Sequence, residues 1–400
     1  MLELEAARER ILSLMPPPQP ERVPLEEAHR RILAEPIYSP HDLPPFDNSA
    51  MDGYAVRAED LRALQVDSPI ALRLIGRAAA GEMFDGEVVT GTCVRLFTGS
   101  AMPRGADAVV MQEDTHTDAA SPETIFFLDA PRPWENVRFR GEDVKAGALL
   151  AAERTEVSAG HISLLAAAGV TEICAGRRPI IGLLATGSEL LTAGQPLVPG
   201  KIHESNRLTL ATLISDAGGT PKIFPLVPDS PGETRRAFET AFAECDLVVT
   251  SGGVSVGEMD FVKSAFEEAG GILEFWKIAM RPGKPFVFGR RGGKFLFGLP
   301  GNPVSAFVTF LLLVRPALLR WQGASSVGLP IHHGILAEAI VNPADRRHFM
   351  RVTVDGQGKV RGAGMQGSHV LSSLAAANGL LDVPAKTTWP AGAAVVVMRW

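Results

Sequence analysis

Apolar runs and stretches of helical period alternate through the middle of the chain, and their order predicts its architecture. Pro179-Ile-Ile-Gly-Leu-Leu-Ala185 and Asp246-Leu-Val-Val-Thr250 are short and continuously apolar, as in strands of a parallel sheet covered on both faces. Lys222-Ile-Phe-Pro-Leu-Val227 is a third predicted strand. Helices are predicted from Asn206, as cap, to Gly218, from Ser230, with Pro231 in the first turn, to Cys245, and from Phe261 to Ala269. Strands follow around 273–279 and 285–288, and Gly292-Gly293 turns the second of these back to Phe297. Leu299-Pro-Gly-Asn-Pro-Val304 opens an apolar helix over 305–320, with Asn302 as cap and Pro303 at its first position. This order is that of a doubly wound α/β domain.

The flanks differ. Leu2, Leu4, Ala7, Ile11, Leu12 and Leu14 recur at helical spacing, so an amphipathic helix is expected up to Pro16-Pro17-Pro18. A short helix is expected over 26–33 and another over 153–169. Between them, residues 55–139 hold short alternating runs (70–75, 93–97, 108–111, 124–128) cut by Gly and Pro, an all-β pattern. From Gly323 onward the runs 334–341, 348–354 and 394–398 predict a small β-barrel or sandwich.

Composition narrows the class. The chain has 400 residues, 46% hydrophobic and 21% charged, which suits a folded protein of two to four domains. A formal charge of −6 argues against a nucleic-acid surface. Cys93, Cys174 and Cys245 stand far apart without a Cys-x-x-Cys or a histidine at ligand spacing, which predicts a reducing compartment and no zinc site. The N-terminus lacks the apolar core of a signal peptide, and the longest apolar run, 306–314, is too short to span a bilayer. The expectation is a cytoplasmic protein with neither nucleic acid nor membrane as partner.

The chemistry concentrates at turns after strands. Thr250-Ser-Gly-Gly-Val-Ser-Val-Gly-Glu-Met-Asp260 joins a strand to a helix, where Gly252 and Gly253 let the backbone approach an anion and Asp260 adds a carboxylate. By shape alone it is equally a tight turn with Asp260 as cap. Loops expected at the same sheet edge carry Glu189, Asp229 and the Pro300-Gly-Asn-Pro303 helix start. Carboxylates beside such amides would repel an anionic ligand unless a hard cation lies between them, and Mg²⁺ is the natural one. Lys277, Arg281 and Lys284 supply positive charge nearby in sequence. Together these features predict a site for a phosphorylated or otherwise anionic small molecule with Mg²⁺. Asp47 and Asp52, Thr98 and Ser100, and the cluster Arg138, Arg140, Glu142 and Asp143 sit in polar loops that local chemistry explains as turns and solvated ion pairs.

Several motifs in order resemble one family. Pro45-Phe-Asp-Asn-Ser-Ala-Met-Asp-Gly-Tyr-Ala-Val56, Thr98-Gly, Arg140-Gly-Glu-Asp143, Ala185-Thr-Gly-Ser-Glu-Leu190, Ser251-Gly-Gly-Val-Ser-Val-Gly257, Pro282-Gly-Lys-Pro-Phe286, Gly298-Leu-Pro-Gly-Asn-Pro-Val-Ser305, Gln366-Gly-Ser-His369 and Ala376-Ala-Asn-Gly379 are similar to molybdopterin molybdenumtransferases of the MoeA type, also seen in the gephyrin E domain. The resemblance implies insertion of molybdate into adenylylated molybdopterin with release of AMP, assisted by Mg²⁺. It also implies a homodimer whose cleft takes the α/β domain from one subunit and Asp52, Thr98 and Asp143 from the other, with transient contacts to other proteins of molybdenum cofactor biosynthesis. The implied division is 1–20 with 176–322 as the α/β molybdopterin-binding domain, 21–44 with 140–175 as a linker-like extended domain, 45–139 as an inserted β domain and 323–400 as a C-terminal β-barrel.

By motif position, Asp52, Asp143, Glu189 and Asp260 would be catalytic, and Glu189, Asp229 and Asp260 would hold the metal. Thr98 and Ser255 would be hydroxyl contacts, Lys277, Lys284, Arg351 and Ser368 anion contacts, and Pro300 and Pro303 pocket walls. Gly252, Gly253 and Asn302 join them in binding substrate, as does Arg281, which stands where the family usually has lysine. The adenylyltransferase that makes the adenylylated pterin resembles residues 176–322 only, and the added β domains stand against it. A non-catalytic peptide scaffold would have no evident use for five carboxylates.

Overall fold

The apolar runs of the chain's middle form one sheet in the computed structural model, which describes residues 1–65, 68–254 and 261–400. Its strands are β1 (Ile180–Ala185), β2 (Thr220–Ile223), β3 (Leu247–Ser251), β4 (Ile272–Trp276), β5 (Val287–Arg291) and β6 (Lys294–Leu299), in the order β2-β1-β3-β6-β5-β4. The first four in that order are parallel, with Leu183 beside Val249 and Val249 beside Phe297. The Gly292-Gly293 turn makes β5 antiparallel to β6, and β4 is antiparallel to β5. Alternate side chains enter two separate cores: Ile181, Leu183, Leu247, Val249, Phe295 and Phe297 on one face, Leu184, Val248 and Leu296 on the other. Both faces are dry, which is why the strands read as continuous apolar runs.

The first face packs against α1 (Leu4–Leu14), α2 (Asn206–Asp216) and, after α3 (Pro231–Glu244) and α4 (Val262–Glu268) have covered the second, the helix α5 (Pro303–Trp321). Pro316 lacks an N–H and would press on the carbonyl four residues back, and the helix meets it with a π turn over Phe310–Val314. α5 is therefore longer than the apolar run 306–314 and is long and apolar enough to cross a membrane, yet 83% of its most apolar stretch is buried inside the protein. Its hydrophobicity belongs to the core: each such Leu or Phe contributes about 1.5–3 kcal/mol.

The chain forms two compact units. The sheet belongs to a unit of Met1–Glu35, Glu153–Ser158 and Glu172–Trp400. That unit also holds β7 (Ile331–Leu336), β8 (Arg347–Val354), β9 (Lys359–Gly362), β10 (Gly379–Val383) and β11 (Ala394–Arg399). These close in the ring β8-β9-β7-β11-β10-β8, so the C-terminal strands make a barrel and not a sandwich. Leu336, Val352, Val360, Leu381 and Val397 fill it. The second unit is Pro36–Ala152 with Ala159–Thr171, built on a six-stranded sheet that includes the four predicted strands and adds Gly53–Val56 between Ala108–Met111 and Thr92–Leu96. A Cβ on Gly53 would lie 2.0 Å from the Val110 carbonyl oxygen, so only glycine lets these strands close.

Three local expectations are corrected. The 26–33 helix is one 3₁₀ turn, Leu25–Glu27, because Ile32 and Leu33 are buried and bridge to Glu156 and Ala175. The same pairings take up the backbone before Ser158, where Arg30 and Leu33 N–H groups reach the carbonyls of Val157 and Thr155, so the following helix begins only at Ala159 and ends at Ala167. Asn206 does not cap α2: it lies inside the helix, and Glu204 accepts the Arg207 N–H at 2.8 Å instead.

His348, on β8, is 3% exposed and its imidazole is pushed down to about 4, first by burial and then by the charges of Arg281 and Arg351. A histidine whose folded pKa is depressed favours the neutral native state, so its contribution is complete above about 6.5 and is lost as pH falls toward 4. The loss is expected to reach about 2–3 kcal/mol. His348→Leu should shrink the gap between urea midpoints measured at pH 7 and pH 4.5; an unchanged gap would refute this assignment.

Candidate functional site

The carboxyl ends of β1, β3 and β6 open onto a cavity of about 700 Å³. In strand order the chain reverses direction beside β1, and ligands of open α/β sheets bind at the carboxyl edge of such a reversal. Of the residues singled out in the sequence, Glu189, Asp229, Gly252, Gly253, Pro300, Asn302 and Pro303 line it. Gly252 and Gly253 have φ of +91° and +67°, and a Cβ on Gly252 would meet the Thr186 carbonyl oxygen at 2.6 Å. Glycine is thus required for the turn after β3 to lie against the turn after β1.

Hydrogen bonds bring the two acidic loops together. Ser188 N–H donates to Asp229 Oδ2 at 2.9 Å, and Asp229 N–H donates to Ser188 Oγ at 3.0 Å. Lys201 Nζ donates to the Ser188 carbonyl. Glu189 is exposed and its backbone carbonyl accepts the Ile202 N–H at 2.9 Å. Two carboxylates therefore face one cavity, a donor set that suits Mg²⁺ completing its shell with phosphate oxygens and water. No group of three or more metal-ligating side chains occurs among the described residues. Asp260 and Ser255 lie outside the described residues.

The basic segment borders the cavity without lining it. Lys277 N–H donates to Phe286 O at 2.9 Å and Ile278 N–H to Lys284 O at 3.0 Å, folding 277–286 back on itself with Pro285 at the cavity wall. Arg281 and Lys284 are exposed, and Met280–Arg281 pairs in parallel with β8. Arg351, an anion contact by resemblance, is buried and does not line the cavity. It is 0% exposed, its Nε donates to Ser373 Oγ at 2.9 Å, and one terminal nitrogen donates to Met365 O at 2.7 Å and Gly367 O at 3.1 Å. The other terminal nitrogen has no partner, and burial pushes the guanidinium pKa down. Its geometric role is to hold the 365–367 turn, which presents His369 to the cavity while the Ser368 carbonyl accepts the Val304 N–H at 3.1 Å.

In the second unit, Asp52 Oδ1 accepts both the N–H and the hydroxyl of Thr98, at 2.7 and 2.8 Å. These two bonds hold its carboxyl below the usual range, so the pair carries a fixed negative charge. Asp143 is exposed, with its N–H on Leu43 O at 3.1 Å.

Sequence reasoning did not assign to the site the polar cavity residues Thr186, His203, Glu204, Ser205, Asn206, Ser251 and His369. Asn206 Nδ2 donates to Ser251 Oγ at 2.7 Å and to Gly301 O at 2.8 Å, bracing the end of β3 against the turn after β6. Thr186, Ser251 and His369 fall inside motifs quoted above, whereas nothing local distinguishes Asn206 from a cap. A second hollow of about 650 Å³ on the barrel, beside His333 and Trp389, contains none of the predicted residues.

Three family models cover the chain in order: "MoeA N-terminal region (domain I and II)" over residues 2–169, "Probable molybdopterin binding domain" over 182–320 and "MoeA C-terminal region (domain IV)" over 333–400. The chain is 41% identical over 384 residues to the molybdopterin molybdenumtransferase of Haemophilus influenzae, covering 94% of this chain and 93% of that one. It is 34% identical to that of Bacillus subtilis, covering 96% and 91%. A solved structure of the molybdopterin biosynthesis moeA protein from Pyrococcus horikoshii matches with a TM-score of 0.83 at 32% identity, covering all of both chains.

Proposed function

This chain belongs to the molybdopterin molybdenumtransferase family and acts in molybdenum cofactor biosynthesis, and on that premise we propose that it inserts molybdate into adenylylated molybdopterin with release of AMP and dependence on Mg²⁺. The observation that supports this reading is the division of charge at one sheet edge: Glu189 and Asp229 in the cavity, Lys277, Arg281 and Lys284 on the segment bordering it. Glu189 and Asp229 would hold Mg²⁺, with Asp260 joining them by resemblance. The ion would offset phosphate charge and polarise the pyrophosphate link.

The chain's own groups bind and orient. The amides around Gly252 and Gly253 approach the substrate's anionic part, and the cations of 277–284 balance the charge of molybdate and phosphate. Ser255 adds a hydroxyl contact. Pro300, Asn302 and Pro303 wall the cavity opposite the acidic loops. Arg351 acts through the turn it holds and through a buried charge that, among the described residues, no carboxylate bonds. Asp52, Thr98 and Asp143 serve the same reaction through a homodimer, where Asp52 would orient the attacking group with its ionised carboxylate. We place the protein in the cytoplasm, with other cofactor-biosynthesis proteins as transient partners.

Purified protein should release AMP from adenylylated molybdopterin only when Mg²⁺ and molybdate are both present. ATP-dependent adenylylation of molybdopterin in their place would overturn the reading. Shared sites make a second prediction: Asp52→Asn and Glu189→Gln, each inactive alone, should recover about a quarter of wild-type activity when subunits are mixed, because half the dimers then carry one intact site. No recovery after subunit exchange would place all these residues in one chain's own site.

A further inference from the structure

β4 runs parallel to β6, so Trp276 ends at the same carboxyl edge as the cavity, outward of Pro285. Its indole is 44% exposed and holds two ammonium groups: Lys277 Nζ at 3.8 Å and Lys263 Nζ at 4.2 Å from the ring centroid. Neither ammonium has an ion-pair partner among the described residues. Two ammonium groups held by one ring repel each other, so an added dianion gains from both at once.

Lys277 is also strained. Its φ is +66°, where a side chain is disfavoured, and the conformation is fixed by its N–H on Phe286 O at 2.9 Å and by its carbonyl, which accepts the Leu2 N–H at 3.3 Å. Glycine would take this conformation at no cost, so the backbone gains nothing from a lysine there. What the lysine supplies is the ammonium over Trp276.

We propose that Trp276, Lys263 and Lys277 form a phosphate subsite that takes the phosphate or pyrophosphate dianion of a nucleotide-bearing ligand. Trp276 is the positioning residue: its ring keeps the two ammonium groups within reach of one anion. Which biological ligand brings that anion rests on the function proposed above, but the subsite can be read with inorganic pyrophosphate alone.

The test is a titration of the full chain with pyrophosphate and with AMP at constant ionic strength, without Mg²⁺, followed by tryptophan fluorescence and by calorimetry. A saturable fluorescence change is expected in the wild type and none in Trp276→Phe. By calorimetry, Trp276→Leu and Lys263→Met should each weaken binding about tenfold or more. Lys277→Gly should weaken it as much while leaving the thermal midpoint equal or higher, a split that a merely structural lysine would not give. Equal affinity in Lys263→Met and wild type, or the same fluorescence change with chloride, overturns the subsite. Pyrophosphate binding that fails in these variants, in a protein that never releases AMP, would keep the subsite and reject the proposed reaction.

Discussion

Glu189→Gln is expected to lower molybdate-dependent AMP release by about 100-fold or more while the protein melts within a degree or two of the wild type. Glu189 is exposed, and the contact its backbone makes, with Ile202 N–H at 2.9 Å, is untouched by the change. Glutamine keeps size and one carboxamide oxygen, so stability should move by less than about 0.5 kcal/mol. A cation held by Glu189, Asp229 and Asp260 would lose one of its three protein-borne negative charges, and loss of a ligand of this kind costs at least as much as loss of an outer partner, about 10–100-fold. The Mg²⁺ concentration giving half-maximal rate should rise, and added Mg²⁺ should recover part of the rate. Activity within twofold of wild type at limiting Mg²⁺ would remove Glu189 from the site. Asp229→Asn is a less clean probe, because Asp229 also accepts the Ser188 N–H that ties its loop to the Glu189 loop.

The central sheet was legible because its physics is local. Both faces of β1, β3 and β6 are covered, so the middle of each strand is a continuous apolar run that announces itself: Leu183 serves one core and Leu184 the other. Glycines at positive φ and Pro303 at a helix start are also decided by their own backbone. What sequence did not disclose depends on partners far along the chain. Asn206 looks like a cap because Asn usually caps, yet its two acceptors are 45 and 95 residues away. The residues before Ile32 and Leu33 favour a helix, but the burial of these two and their pairings with Glu156 and Ala175 outweigh the propensity of so short a segment. Arg351 is an anion contact by resemblance, and its complete burial is not legible in sequence, since arginine rarely lies fully buried without a carboxylate. Three acceptors on a distant helix and turn make its burial tolerable, and no spacing rule reveals them.

Arg351→Met should combine a large stability loss with loss of oxyanion binding, and the two can be separated. Methionine approximates the length of the side chain but donates nothing, so Met365 O and Gly367 O lose their donor inside the protein. An unmet buried acceptor costs about 1–3 kcal/mol, and with the Ser373 contact also gone the total should reach several kcal/mol, lowering the melting point by roughly 10 °C or more. Desolvating a guanidinium is itself expensive, and methionine escapes that cost, which sets a ceiling on the net loss. At a temperature where the variant is folded, molybdate should raise the wild-type melting point, because a ligand at 100 times its Kd adds about 2.7 kcal/mol to the native state. In Arg351→Met that rise should vanish, since the cation with an unpartnered nitrogen is gone and the turn carrying Ser368 and His369 is loose. Arg351→Lys separates charge from hydrogen-bond geometry: it keeps the charge, cannot serve all three acceptors, and should recover part of the molybdate response while remaining destabilised. An equal molybdate-induced rise in wild type and Arg351→Met would mean that Arg351 only braces the barrel and that the oxyanion is held by the 277–284 cations alone.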